Sequence, residues 1–92
     1  MKIKISSQFK KDLKRMRKQG KDLSLLREAI SYLENDKELP EKYKNHQLKG
    51  EWNGAYEFYI KADWLVIYEI IDNNLILVML RTGSHQELFR NY

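Results

Sequence analysis

Apolar and polar residues alternate along this chain in two different periods. Met1, Ile3 and Ile5 alternate with Lys2 and Lys4, which predicts a half-buried strand. Ser6 or Ser7 then offers a side-chain oxygen to a free first-turn amide, so a helix begins there. Phe9, Leu13 and Met16 follow at helical spacing, and Gly20 stops the helix. Asp22 caps a second helix, in which Leu23, Leu26, Ile30 and Leu33 form one apolar stripe. Beyond a polar stretch the period falls to two: Tyr56, Phe58 and Ile60 alternate with Glu57, Tyr59 and Lys61. Ala62-Asp63 turns the chain into residues 64–71, a nearly continuous run rich in β-branched and aromatic residues. Asn73-Asn74 suits a tight hairpin turn, because asparagine tolerates positive φ. Residues 75–80 lack polar alternation and predict an inner strand. A short turn ends the chain.

The predicted order is β-α-α-β-β-β. Helices and strands are segregated, which argues an α+β class: an N-terminal strand and a two-helix hairpin packed on a small, mainly antiparallel sheet. The sheet's other face is expected to be partly open. A length of 92 residues makes one domain, 1–92, the default. Residues 36–54 hold Asp36, Pro40, Asn45, Gly50, Asn53 and Gly54 and few core candidates. So long a loop in so small a domain points to function. It carries His46 and Lys49.

Charge changes this picture. Residues 1–50 hold 14 Lys+Arg against 7 Asp+Glu, and residues 51–92 hold 3 against 6, so the net +4 is the sum of +7 and −3. Lys10, Lys11, Lys14, Arg15, Arg17, Lys18 and Lys21 crowd the first helix, opposed only by Asp12. Most such runs are solvated helix faces; this lopsided one favours a polyanion partner, with phosphates supplying sequence-independent affinity. The chain has no cysteine, so it has neither a disulfide nor a thiolate metal site, which fits a reducing cytoplasm. No apolar run approaches the ~20 residues that span a bilayer, and the alternating first five residues are no signal peptide, so no membrane partner is expected.

Candidate chemistry gathers in the polar segments. His46 and His85 have polar neighbours, and an imidazole transfers protons near neutral pH. They are far apart and lack metal-ligand spacing, so no metal or other cofactor is expected. Asp63 sits at a turn before Trp64; read locally, it is an ordinary turn aspartate and Trp64 an ordinary core ring. Arg81 closes an apolar strand as a solvated end or as a guanidinium for charge on a phosphate. Phe89 either closes the core or stacks on a base. Tyr59 faces the polar side of its strand, and Tyr43, Tyr56, Tyr68 and Tyr92 add further rings. The chain has no phosphate-binding glycine loop and no thiol. A set of His, Asp, Arg, Tyr and Lys suits metal-free cleavage of RNA, where the substrate's 2′-hydroxyl is the nucleophile.

From Phe9 to Phe89 the chain resembles a toxin of the RelE/ParE superfamily, in its YafQ-like branch. The landmarks are Tyr43-Lys44-Asn45-His46-Gln47-Leu48-Lys49-Gly50, then Trp52 and Gly54, then Asp63-Trp64 with Ile67-Tyr68, and finally Arg81-Thr82-Gly83-Ser84-His85 with Leu88-Phe89. The resemblance implies a RelE-like fold and a cytoplasmic endoribonuclease of a type II toxin–antitoxin pair that cuts mRNA in the ribosomal A site. It implies a separate antitoxin chain as partner. Residues matching His46, Asp63, Arg81 and His85 form the family's catalytic cluster, and those matching Trp64 and Phe89 shape the site and hold the nucleotide. Lys49 and Tyr59 join them as RNA contacts, and Lys10, Lys11, Lys14, Arg15, Arg17 and Lys18 as the ribosome-facing surface. Where the YafQ-like branch has an arginine and a histidine, this chain has Tyr56 and Tyr59. Two alternatives stand beside this reading: a ParE-like toxin acting on gyrase without nuclease activity, and a catalytically weakened antitoxin-binding module.

Overall fold

The computed structural model describes residues 1–89. Tyr92 lies outside the described residues. Strand β1 (Lys2–Ile5) leads into helix α1 (Ser7–Lys18) and helix α2 (Leu23–Glu34). The strands β2 (His46–Gln47), β3 (Tyr56–Lys61), β4 (Trp64–Ile71) and β5 (Ile76–Gly83) follow, and the short helix α3 (His85–Phe89) closes the described chain. The sheet order is β1-β5-β4-β3-β2, with β1 parallel to β5 and every other pairing antiparallel.

Local chemistry sets the boundaries. Ser6, not Ser7, caps α1: its hydroxyl accepts the Phe9 N–H at 3.0 Å and donates to the Leu80 carbonyl at 2.9 Å. Gly20 takes φ +78 just beyond α1, a conformation that side-chain-bearing residues resist, and the Lys21 N–H returns to the Met16 carbonyl. Asp22 caps α2 by accepting the Ser24 N–H at 3.0 Å. Asp72, Asn73 and Asn74 all have positive φ, and the β4–β5 turn spans residues 72–75, two residues wider than the Asn-Asn pair suggests. The β5 strand runs on to Gly83, which places Arg81 inside the strand rather than at its end.

Both faces of the sheet carry a core. Under the two long helices lie Phe9, Met16, Leu26, Ala29, Phe58, Trp64, Val66, Tyr68, Leu77 and Met79. On the opposite face Ala55, Leu65, Ile67 and Leu88 form a smaller cluster, flanked by half-buried Trp52, Tyr59 and Phe89. The long 36–54 segment is more ordered than its composition suggests. Tyr43 is buried and sits edge-on to Phe58, with ring centroids 5.9 Å apart. The Tyr68 hydroxyl donates to Asn45 at 2.9 Å, and burial pushes its pKa up to about 12. Between these two anchors and β3, residues His46 and Gln47 pair as a sheet edge, a strand too short for any alternation to announce. Among the described residues no helix is long and apolar enough to cross a membrane.

Candidate active site

Strand register assembles the site. His46 pairs with Glu57, Glu57 with Ile67 and Ile67 with Arg81, which makes one row across β2, β3, β4 and β5. Cross-strand partners share a face, so His46, Glu57 and Arg81 lie on the side away from the long helices. Tyr59, two residues from Glu57, is on that face too. The helix α3 crosses its edge and brings His85 and Phe89. Ser84 and Glu87 start that helix with a reciprocal cap: Glu87 accepts the Ser84 N–H at 2.9 Å, and the Ser84 hydroxyl accepts the Glu87 N–H at 3.1 Å.

At the centre is Glu57, whose side chain is 4% exposed. Its Oε2 lies 3.1 Å from His46 Nε2 and its Oε1 lies 3.5 Å from His85 Nε2. A carboxyl group buried this deeply needs polar partners: His46 Nε2 is within hydrogen-bond distance of Oε2, and Oε1 faces His85 but makes no hydrogen bond among the described residues. The outer nitrogens of both rings are held elsewhere. His46 Nδ1 is 2.7 Å from the Lys44 carbonyl, an atom that only accepts, so this nitrogen carries a proton. His85 Nδ1 is 3.2 Å from Asp63 Oδ1, which also accepts the His85 backbone N–H at 3.1 Å. Those two bonds, the backbone one first, hold the Asp63 carboxyl below its ordinary value. With each Nδ1 engaged, both Nε2 atoms converge on Glu57.

Tyr59 stands between the imidazoles. Its ring stacks at 6.2 Å on His46 and lies 5.5 Å from His85, and its hydroxyl is 3.1 Å from His85 Nε2. Burial, and then the charges of Glu57 and Asp63, raise the phenol above its ordinary value. Tyr59 is therefore a neutral proton donor near pH 7. Phe89 extends the row of rings, 5.9 Å from His85 and 6.1 Å from Trp52. A cleft of about 510 Å³ opens beside Tyr59 and His85, and Lys42, Lys44 and Lys61 line it.

Five expected residues sit elsewhere or in other roles. Trp64 belongs to the helix-covered core with 2% of its surface exposed, so it has no face to offer a base; its indole donates to the Thr82 hydroxyl at 2.9 Å. Tyr56 also faces the helices, stacked on Tyr68 at 5.5 Å, because strand alternation separates it from Glu57 and Tyr59. Lys49 is exposed, and among the described residues no hydrogen bond or ion pair joins it to the cluster. Arg81 is on the right face but is bonded to Asp12, through Nε at 2.8 Å and Nη2 at 3.2 Å. Arg15 turns inward to Asp12, to the Thr82 carbonyl and to Glu87, and so leaves the outward basic surface. Lys10, Lys11, Lys14, Arg17 and Lys18 remain exposed.

Sequence reasoning missed Glu57 and Asp12. Each left a faint signal. Glu57 is a carboxylate in a strand of aromatic and apolar residues. Asp12 stands three residues after Phe9 and four before Met16, on the apolar stripe of α1 rather than on its charged face. Among the described residues no group of three or more His, Cys, Asp or Glu is placed to hold a metal ion.

Comparison with known proteins follows the same lines. The family model described as "Bacterial toxin of type II toxin-antitoxin system, YafQ" matches residues 1–90. The mRNA interferase toxin YafQ of Escherichia coli K12 is 38% identical over 88 residues, covering 95% of this chain and 94% of that one. Among solved structures, the toxin in the E. coli DinJ–YafQ toxin–antitoxin complex superposes with a TM-score of 0.85 at 38% identity, covering 95% and 94% of the two chains. A metal-bound toxin from Helicobacter pylori superposes with a TM-score of 0.89 at 40% identity, covering 97% and 99%.

Proposed function

The chain belongs to the YafQ family of bacterial type II toxin–antitoxin toxins, and from that premise we propose that it is an mRNA interferase, an endoribonuclease that cuts mRNA in the ribosomal A site. One observation carries the chemical reading: the Nε2 atoms of two histidines meet on a single buried carboxylate on the open face. In this reading the 2′-hydroxyl of the RNA attacks the adjacent phosphate. The O2′–P bond forms, the P–O5′ bond breaks, and the 2′-proton is removed while the departing 5′-oxygen gains one. His46 and His85 share the two proton transfers. Glu57 couples them, Asp63 fixes the ring of His85, and Tyr59 donates a hydrogen bond. Arg81 stabilises charge on the phosphorane. Phe89 supplies a ring edge for a base, and the lysines of the cleft receive flanking phosphates.

The remaining cations of α1, without Arg15, face outward as the surface for ribosomal RNA. Like its E. coli relative, found with DinJ, the toxin is held inactive by a separate antitoxin chain, and both act in the cytoplasm where ribosomes are. The test is to map mRNA cuts in a translating extract for the wild type, His85→Ala and Arg81→Ala. Cuts that vanish in both variants are expected, and an identical cut profile in all three contradicts the proposal. Removing ribosomes from the extract reads the ribosome requirement separately.

A further inference from the structure

Asp12 is wholly buried in α1, yet five contacts from two elements, α1 itself and β5, converge on it. Its Oδ1 takes Arg15 Nη1 at 3.0 Å, Arg81 Nη2 at 3.2 Å and Gln8 Nε2 at 3.4 Å. Its Oδ2 takes Arg81 Nε at 2.8 Å and the Thr82 backbone N–H at 3.0 Å. Stability alone is a weak reason for such a cluster, because apolar side chains of similar volume serve a core as well or better. What the cluster supplies is orientation. A guanidinium bonded through Nε and Nη2 to both oxygens of one carboxylate is fixed in its plane, and its remaining N–H groups point away from the tether.

We infer that Asp12 is the positioning residue for Arg81: from within α1 it sets the plane and direction of the guanidinium that the RNA phosphate meets. The inference rests on the assignment of Arg81 to the cleavage site. Arg15 takes one share of the carboxylate's charge, so Arg81 is oriented without being fully neutralised. The Thr82 N–H bond ties the tether to β5, the strand that carries Arg81. Close packing leaves this arrangement little play. Gly83 has φ +155, and a Cβ there would lie 2.6 Å from Arg15 Nη2 and 2.9 Å from Glu87 Oε1. The tether predicts that lysine is a poor substitute at position 81. A single ammonium pointed at Asp12 has no second, planar edge left for phosphate.

The test is a double-mutant cycle on programmed ribosomes, with wild type, Asp12→Asn, Arg81→Ala and the double variant, and thermal unfolding recorded for each. A guanidinium displaced by about 1 Å costs roughly 100-fold in rate. Asp12→Asn is expected to lower kcat by that order with the half-saturating ribosome concentration unchanged, and to change nothing further once Arg81 is alanine. An equal drop in both backgrounds means that Asp12 acts only through the fold, and overturns the inference while Arg81 keeps its role. An Arg81→Ala toxin as fast as wild type removes Arg81 from the site, and the inference with it. Should Asp12→Asn fail to fold, the Arg81 Nε–H resonance of the intact wild type decides. A distinct, exchange-protected signal is expected, and one merged with the signals of freely exchanging arginines contradicts the tether.

Discussion

The same strand builds both sides of this molecule. On the side covered by α1 and α2, Tyr56, Phe58 and Ile60 join a core of rings and aliphatic chains. On the other, Glu57 and Tyr59 meet two histidines and an open cleft. One face is closed by the twelve buried side chains of the helix-covered core. The other is roofed, among the described residues, by a five-residue helix and a short turn, and its buried Glu57 faces two imidazoles. The period of two in a strand is thus the device that separates stability from chemistry, residue by residue.

Substitutions on the two faces break that comparison in opposite ways. The largest effect is expected from Phe58→Ala, because Phe58 is fully buried between Tyr43 and Tyr68. It costs about 3–5 kcal/mol in denaturant unfolding, a large part of a small domain's stability. Next come His46→Ala and His85→Ala on the open face. Each is expected to slow cleavage roughly 10²–10⁴-fold, measured as single-turnover mRNA cutting. His85→Ala leaves stability within about 1 kcal/mol, since Glu57 keeps its 3.1 Å contact to His46, whereas His46→Ala strands the buried carboxyl group and costs about 1–3 kcal/mol.

Acid sharpens the comparison further. Burial raises the Asp12 carboxyl, but the Arg81 side-chain bond, the Thr82 N–H and the charges of Arg81 and Arg15 outweigh it, so the group sits below its ordinary 3.8. Glu87 is likewise lowered: burial raises it, and Ser84, Gln19 and Arg15 more than offset that. A depressed folded pKa gives stability that is present above the unfolded value and lost as pH falls through the folded one. Unfolding free energy is therefore expected to be level from pH 7 to about 5 and to fall below about pH 4, with a shallower fall in Asp12→Asn. The smallest effect is that of Trp64→Phe. It removes the indole bond to Thr82, costs about 1–2 kcal/mol in thermal unfolding, and leaves affinity for RNA unchanged, because the ring is not on the face proposed to meet RNA.

Much of the architecture was legible in the chain. Alternation in 56–60, the caps at Ser6 and Asp22 and the stop at Gly20 are local signals, and local physics obeyed them. Of the site, the residue types were legible and their grouping only in part. His46, Asp63 and His85 were named from loops and turns; strand register then set His46 beside Glu57, and α3 brought His85 there, held by Asp63. No local pattern reports register, because it depends on which strands pair. Trp64 shows the limit from the other direction: nothing beside Asp63 in the sequence tells which face of β4 a tryptophan takes. Arg15 and Asp12 were hidden for the same reason. A run of cations reads as a surface, and only the packing of α1 against β5 turns Arg15 inward, together with the lone Asp12.

The claim that the open face is the RNA-cutting face is tested most directly by two neighbouring residues on opposite sides of β3. Glu57→Gln and Tyr56→Phe are each expressed, checked for unfolding temperature, and assayed for mRNA cuts in a translating extract. The account predicts that Glu57→Gln loses cutting by about 100-fold or more while remaining folded, and that Tyr56→Phe cuts as wild type does. A folded Glu57→Gln toxin that cuts at the wild-type rate would contradict it.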